Sequence, residues 1–302
     1  MSAPGVTITD PRAVPTTVLG RIGAYVALTK PRIIELLLVT TLPAMILAER
    51  SWPGTWLVIA TLIGGTMSAG GANAINNVID RDIDQVMHRT AHRPMARHKV
   101  PPMHALVFGV VLGIGGFVWL WVMANLLAAV LSTAALLFYV FVYTLWLKRS
   151  STQNIVIGGA AGAVPVLVGW AAVTGSLAVA PWIMFAIIFF WTPPHFWALS
   201  LRYQEDYARA GIPMLPVVVG VEATLQSIFL YSVQLVALTL VLYPAGSMSP
   251  VYLGSAVVLG AAFLIGAWRL RSHSDEAMRF FGYSNVYLTL LFGAIAIDGL
   301  FF

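Results

Sequence analysis

The sequence has no cysteine and very little charge: charged residues are 10% of its 302 residues, and only 12 residues are Asp or Glu. Without thiols there is no disulfide, no thiolate metal centre and no cysteine nucleophile. A soluble domain carries roughly 25% charged residues. The scarcity of charge, set against 59% hydrophobic residues and a mean hydropathy of +0.84, excludes a soluble enzyme. High hydrophobicity also excludes a disordered chain. An integral membrane protein remains. Its formal net charge of +5 is then the Lys/Arg excess expected of cytoplasmic loops, and nucleic acid is not an expected partner.

No Asp, Glu, Lys or Arg occurs from Val100 to Leu147 or from Ser150 to Leu201. Each run holds two spans of about 20 residues and a short turn. The turns fall at Asn125 and at Thr174-Gly175-Ser176, with Pro181 opening the next helix. The same reading predicts an all-α bundle of nine transmembrane helices, at roughly 33–48, 55–79, 104–122, 126–147, 154–173, 181–201, 220–243, 250–270 and 284–301. With nine spans, every one of the 17 Lys and Arg except Arg50 lies on the side of the N-terminus. That predicts a cytoplasmic N-terminus and an external C-terminus, in the plasma membrane of a bacterial cell. Residues 1–27, with Pro4, Pro11 and Pro15 among small and polar residues, read as a flexible cytoplasmic tail and as neither a secretory nor a mitochondrial leader. Residues 28–302 read as a single membrane domain, and the odd span count argues against two equal inverted halves.

The few acids are grouped. Asn73, Asn77, Asp80 and Asp84 step by four, three and four residues and share one helical face; Asn76 lies beside them and Asp82 points away. Solvated loop charges paired with Arg81 and Arg89 are the plain alternative. The asparagines, however, carry the stripe into the span, where polar groups are costly unless something cationic meets them. Oxygen donors without His or Cys suit Mg²⁺. Arg89 and Arg93 follow at once, and an aspartate cluster beside guanidiniums is what a magnesium diphosphate needs. Arg97 and Lys99 read as topology or lipid contacts. A second cluster closes the sixth span. His195, Leu199, Arg202 and Asp206 share a face if the helix continues, and Glu205 is adjacent. The nine-span count places both clusters at one shared mouth. His195 is open to three readings: a histidine bonded to backbone, an axial ligand for an iron porphyrin, or a base acting on water. His88 and His92 lack a third zinc ligand.

Asn73 to Pro94 resembles the first aspartate motif of the UbiA-like intramembrane prenyltransferases. Further segments resemble, in order, the branch of that family that farnesylates protoheme. They are Lys30-Pro31-Arg32-Ile33, Tyr143 through Lys148-Arg149, Asn154 through Gly159, Gly169-Trp170-Ala171, Trp191-Thr192-Pro193-Pro194-His195-Phe196, and Asp206-Tyr207 with Gly211 through Pro216. The resemblance implies nine helices around a central cavity open to the cytoplasm, with a lateral path for the isoprenoid. It implies Mg²⁺ as cofactor, farnesyl diphosphate and protoheme IX as substrates, heme O and diphosphate as products, and surrounding membrane lipid with a downstream heme-modifying enzyme as partners. Asn76, Asp80 and Asp84 match the first metal–diphosphate motif, and Arg89, Arg93 and Lys148 its diphosphate contacts. Asn73, Asn77, Tyr143, Arg149 and Arg202 complete the candidate substrate-lining set, with Lys30 and Arg32 candidates for the heme propionates. Relatives carry spaced aspartates at the second site; this chain has Glu205 and Asp206 there, with His195 upstream. Asp206 is taken as the further metal ligand, and Asp80, Asp84, Asp206 and His195 as the catalytic set. Two other readings are the same fold acting on a quinone precursor or chlorin, and a transporter. A transporter predicts ionisable groups at mid-bilayer, whereas Glu35, Glu222 and Asp298 are scattered.

Overall fold

Each long apolar run folds into a helix, as it must where lipid offers backbone N–H and C=O groups no partner. The computed structural model describes residues 17–302, apart from the side chains of 32–38, and contains no strand among them. In chain order the helices are α1 (Val18–Thr29), α2 (Pro31–Glu49), α3 (Thr55–Ile79), α4 (Arg81–Val86), α5 (Pro102–Met123) and α6 (Leu126–Leu137). α6 continues through a π-helical stretch (Phe138–Leu147) into the short α7 (Lys148–Ser150). There follow α8 (Asn154–Thr174), α9 (Val179–Arg202), α10 (Gln204–Arg209), α11 (Leu215–Ala245), α12 (Pro250–Leu270) and α13 (Ala277–Phe301). Among the described residues, 8 helical stretches are long and apolar enough to cross a membrane: α3, α5, α6 through α7, α8, α9, α11, α12 and α13. The chain is a multi-pass membrane protein. α2, of 19 residues, is the segment read from sequence as the first span. The side chains of Arg32 and Glu35 in it lie outside the described residues.

Two boundaries differ from the sequence reading. Residues 18–29 are helix α1 and not tail, because Ala24 and Leu28 are buried with Ala74 of α3 and Met95, and Tyr25 meets Phe108 edge-on at 5.1 Å. α11 begins five residues before the expected 220 but breaks there: Gly220 has φ 82 and ψ 175, a conformation open to glycine alone.

Small residues set the closest approach. A Cβ on Gly71 of α3 would lie 2.6 Å from the Gly109 carbonyl oxygen of α5, and one on Gly109 would lie 2.7 Å from Ile75 Cγ1. The two backbones are therefore in contact, the way apolar helices gain packing energy where lipid removes the hydrophobic drive. From α5 the packing passes to α6, α8 and α2, and from α8 through α9 to α11, α12 and α13, which returns to α2. α2, α8, α9 and α13 thus stand between two flanking groups. The main core, around Trp191, Trp197, Phe263, Tyr287 and Phe292, lies on the α9–α13 side.

Candidate active site

α3 ends at Asp80 (φ −88, ψ 5) and the chain resumes as α4. Helical spacing survives the break: Asp80 N donates to Asn76 O and Asp84 N to Asp80 O, each at 2.9 Å. The face argument therefore holds here. Asp80 and Asp84 are buried, whereas the Asp82 side chain is 60% exposed and pairs with Arg149 at 2.7 Å. That hydrogen bond holds the Asp82 carboxyl down at about 2. Arg93 Nη1 donates to both oxygens of Asp84 at 2.9 Å. Asp80 accepts from Asn76 Nδ2 at 2.7 Å and from Lys148 Nζ. Its other oxygen has no hydrogen bond, with Arg149 4.0 Å away. Lys30 Nζ donates to Asn76 Oδ1 at 2.6 Å. Burial first, then Arg93 and Lys148, push the Lys30 ammonium well below its ordinary range.

Local structure explains how these groups meet. The π-helical stretch widens the turn, so Thr144 Oγ reaches the carbonyl five residues back, Tyr139 O, at 2.8 Å, and its oxygen accepts from Asn76 at 3.1 Å. Lys148 follows directly and points at Asp80. Tyr143 lies against Gly158, where a Cβ would come within 2.3 Å of its ring. Lys30 sits in left-handed backbone between α1 and α2 (φ 52). Asn73 and Asn77 donate to the last carbonyls of α1, Thr29 O and Leu28 O, both at 3.0 Å. These two asparagines thus hold the segment that presents Lys30, a structural use that the helical face did not announce.

The second cluster is arranged differently from its spacing. α9 ends at Arg202, and Tyr203 (φ −112, ψ 25) turns the chain before α10. The face shared by His195 and Arg202 therefore does not extend to Asp206. Arg202 and Glu205 are exposed, and Asp206 is buried. Asp206 accepts from Arg89 N at 3.1 Å and from the Arg209 guanidinium. Burial pushes its carboxyl up, but these bonds outweigh burial and hold it below its ordinary value. The Arg89 guanidinium reaches Tyr207 OH at 3.3 Å and lies 5.7 and 5.9 Å from the rings of Tyr203 and Tyr207. Beneath it Ile83, Met87, Ile155, Tyr207 and Ile212 form one apolar floor. The two acidic clusters do share one end of the bundle, joined through Arg89. Each buried carboxylate there meets a cation, and no three of His, Cys, Asp and Glu converge on a metal position among the described residues.

His195 is buried in α9 between the rings of Trp191 (4.2 Å) and Phe281 (4.3 Å), with Nδ1 2.7 Å from Ser284 Oγ. Three residues here were given no role from the sequence: Thr144 and Asn154, which lie in the family-resembling segments, and Ser284. Asn154 is 1% exposed and neither amide atom has a partner. Its position as the last amide within the charge-free run from Ser150 to Leu201 was a usable signal. Ser284 had none, since it meets His195 only through the packing of α13 on α9.

Fold and site together define a membrane-embedded helical bundle with buried carboxylates and several Lys and Arg at one end. The chain belongs to the UbiA prenyltransferase family, whose model matches residues 37–291. It is 59% identical over 284 residues to a protein named protoheme IX farnesyltransferase 1 from Saccharopolyspora erythraea, covering 92% of this chain and 90% of that one. Its fold matches a digeranylgeranylglyceryl phosphate synthase structure with a TM-score of 0.77 at 16% identity, over 93% of this chain and 99% of that chain. A UbiA homolog from Archaeoglobus fulgidus solved with DMAPP and Mg²⁺ matches with a TM-score of 0.67 at 16% identity, over 90% of this chain and 99% of that one.

Proposed function

We propose that this chain transfers the farnesyl group of farnesyl diphosphate to a vinyl group of protoheme IX, with addition of water, giving heme O and diphosphate. The observation that carries the reading is the gathering of basic side chains, more of them than carboxylates, at a buried mouth. Lys30, Arg93 and Lys148 gather around Asp80 and Asp84, and Arg89, whose backbone N–H binds Asp206, holds its guanidinium by Tyr203 and Tyr207. A diphosphate supplies the missing negative charge, and cations fixed around a leaving group favour its departure. The relative at 59% identity supports protoheme as the acceptor.

The donor set fits Mg²⁺: it is oxygen-only, and one Asp80 oxygen is free of hydrogen bonds. Asn76, Asp80 and Asp84 at the α3–α4 break and Asp206 on α10, which do not converge on one position in this structure, are the residues that would hold Mg²⁺, whose charge would offset that of the departing diphosphate. Arg93 and Lys148 grip phosphate oxygens, Arg93 with a planar fork and Lys148 as a point charge. The allylic C–O bond breaks with its electron pair on diphosphate. Tyr143, Tyr203 and Tyr207 present aromatic faces suited to the farnesyl cation. The farnesyl carbon bonds the outer vinyl carbon, water adds to the cation left beside the ring, and its proton passes to a carboxylate or to His195.

We also read α2 as a ninth span and the mouth as cytoplasmic. Arg50, the one basic residue assigned to the outside, pairs with Asp298 near the end of α13, away from the Lys/Arg-rich end, which supports that orientation. The test is incubation of the purified protein with farnesyl diphosphate, protoheme and Mg²⁺. The expected product has the mass of heme O; unaltered heme, or prenylation of an aromatic acceptor only, overturns the reading.

A further inference from the structure

His195 and Ser284 form a pair whose proton positions follow from geometry. Ser284 has one hydroxyl proton and two neighbours: the Phe281 carbonyl oxygen at 2.7 Å and His195 Nδ1 at 2.7 Å. A carbonyl oxygen can only accept, so a hydroxyl oxygen held at 2.7 Å must donate to it. The Ser284 oxygen then has only lone pairs for His195, and Nδ1 must carry the hydrogen. A neutral imidazole has one N–H. Nε2 is therefore a bare lone pair, the ring's hydrogen bond to Ser284 being made through Nδ1.

The surroundings fix the ring as well as its proton. Trp191 and Phe281 stack on its two faces, and Trp191 Nε1 donates to Ser284 O at 2.8 Å. Ser284 thus braces both the imidazole and the indole that covers it. Two successive prolines in α9, Pro193 and Pro194, remove two backbone N–H donors in the turn that carries His195.

We infer that Ser284 is a positioning residue that locks His195 in the Nδ1–H form, so that Nε2 is the acceptor atom presented to substrate. This rests on the proposed prenyl transfer for its kinetic consequence but not for the proton assignment. An Nε2 lone pair can take a proton from the attacking water or bind an electrophilic centre of the acceptor; the opposite tautomer can do neither.

The experiment is nitrogen-15 NMR of the histidine-labelled full chain in lipid nanodiscs. The His195 signals among the 6 histidines are found by difference from His195→Gln. The expected spectrum has His195 protonated at Nδ1 and bare at Nε2; a proton on Nε2 in the unmutated chain overturns the inference. Ser284→Ala should release the proton to Nε2 and lower kcat on the order of tenfold or more. KM for farnesyl diphosphate should stay unchanged, and Ser284→Thr should restore both tautomer and rate. An Nδ1 proton and full kcat retained in Ser284→Ala also overturn the inference. If Ser284→Ala does not fold, the unmutated spectrum alone decides. An inactive protein showing the Nδ1 proton would overturn the prenyl-transfer reading and leave the tautomer assignment standing.

Discussion

Asp80 and Asp298 are both sealed from solvent, and α2 separates their surroundings: Lys30 precedes it and Arg50 follows it. A 19-residue helix puts the two ends about 28 Å apart. Each aspartate keeps one oxygen without a hydrogen bond and a guanidinium nearby, 4.0 Å away at Asp80 and 3.7 Å at Asp298. An unpartnered buried oxygen therefore does not mark a site by itself. The difference is in the cations. Asp298 accepts from the Ser249 backbone N–H and hydroxyl, and its single cation, Arg50, also caps the Gly246 and Ser247 carbonyls. That end is closed, one carboxylate to one guanidinium, and it clasps the turn between α11 and α12. At the other end Arg93 pairs with Asp84, Lys148 with Asp80, Arg149 with Asp82 and Arg209 with Asp206, and Lys30 and Arg89 stand there with no carboxylate partner of their own among the described residues. Basic groups beyond the one-to-one pairs, and not burial of charge as such, distinguish the end proposed as reactive.

The comparison breaks or sharpens with three substitutions. Asp80→Asn keeps size and hydrogen bonding but removes the charge, and should lower turnover per folded molecule on the order of 100- to 1,000-fold in the product-mass assay, with melting also lowered because Lys148 loses its buried charge partner. Near-normal turnover there would contradict the site. Asp298→Ala should leave turnover per folded molecule intact. It strands the Ser249 donors and Arg50, so thermal unfolding should report a loss on the order of 3 kcal/mol. A lost rate without lost stability would make the closed end functional. Asp82→Ala should be the mildest, within about threefold in rate. Its pair with Arg149 lowers the carboxyl from 3.8 to about 2. The folded value lies below the unfolded one, so the pair's contribution is fully present above 3.8 and fades as pH falls towards about 2. The difference between parent and Asp82→Ala melting curves should close over that acid window and be flat near neutrality.

How much of this was legible in the sequence depended on distance along the chain. The apolar runs predicted the helices, because a lipid-facing span must satisfy its own backbone. The stripe Asn76, Asp80, Asp84, with Asp82 outside it, was readable because four- and three-residue steps survive the small break after Ile79. The same arithmetic failed from His195 to Asp206, where Tyr203 ends the helix and no local residue type announced it. Asn73 and Asn77 were correctly placed on the buried face, but their bonds to Thr29 and Leu28 were hidden because the helix that ends at those residues was not read from the sequence. Thr144 and Ser284 matter only through partners that tertiary packing brings in, and Asn154 stands out only by its burial without one. Spacing arguments cannot reach contacts between helices.

The most direct measurement of the central claim is the affinity of a non-hydrolysable farnesyl diphosphate analogue for the unmutated protein, Arg93→Ala and Asp298→Asn, side by side in the presence of Mg²⁺. Loss of one charge-assisted phosphate contact is worth about 1.5–3 kcal/mol, so Arg93→Ala should bind at least tenfold more weakly, with heme affinity kept and Asp298→Asn indistinguishable from the unmutated protein. Equal analogue affinity in Arg93→Ala, or a selective loss of heme binding, would contradict the assignment of the cation-rich end to diphosphate.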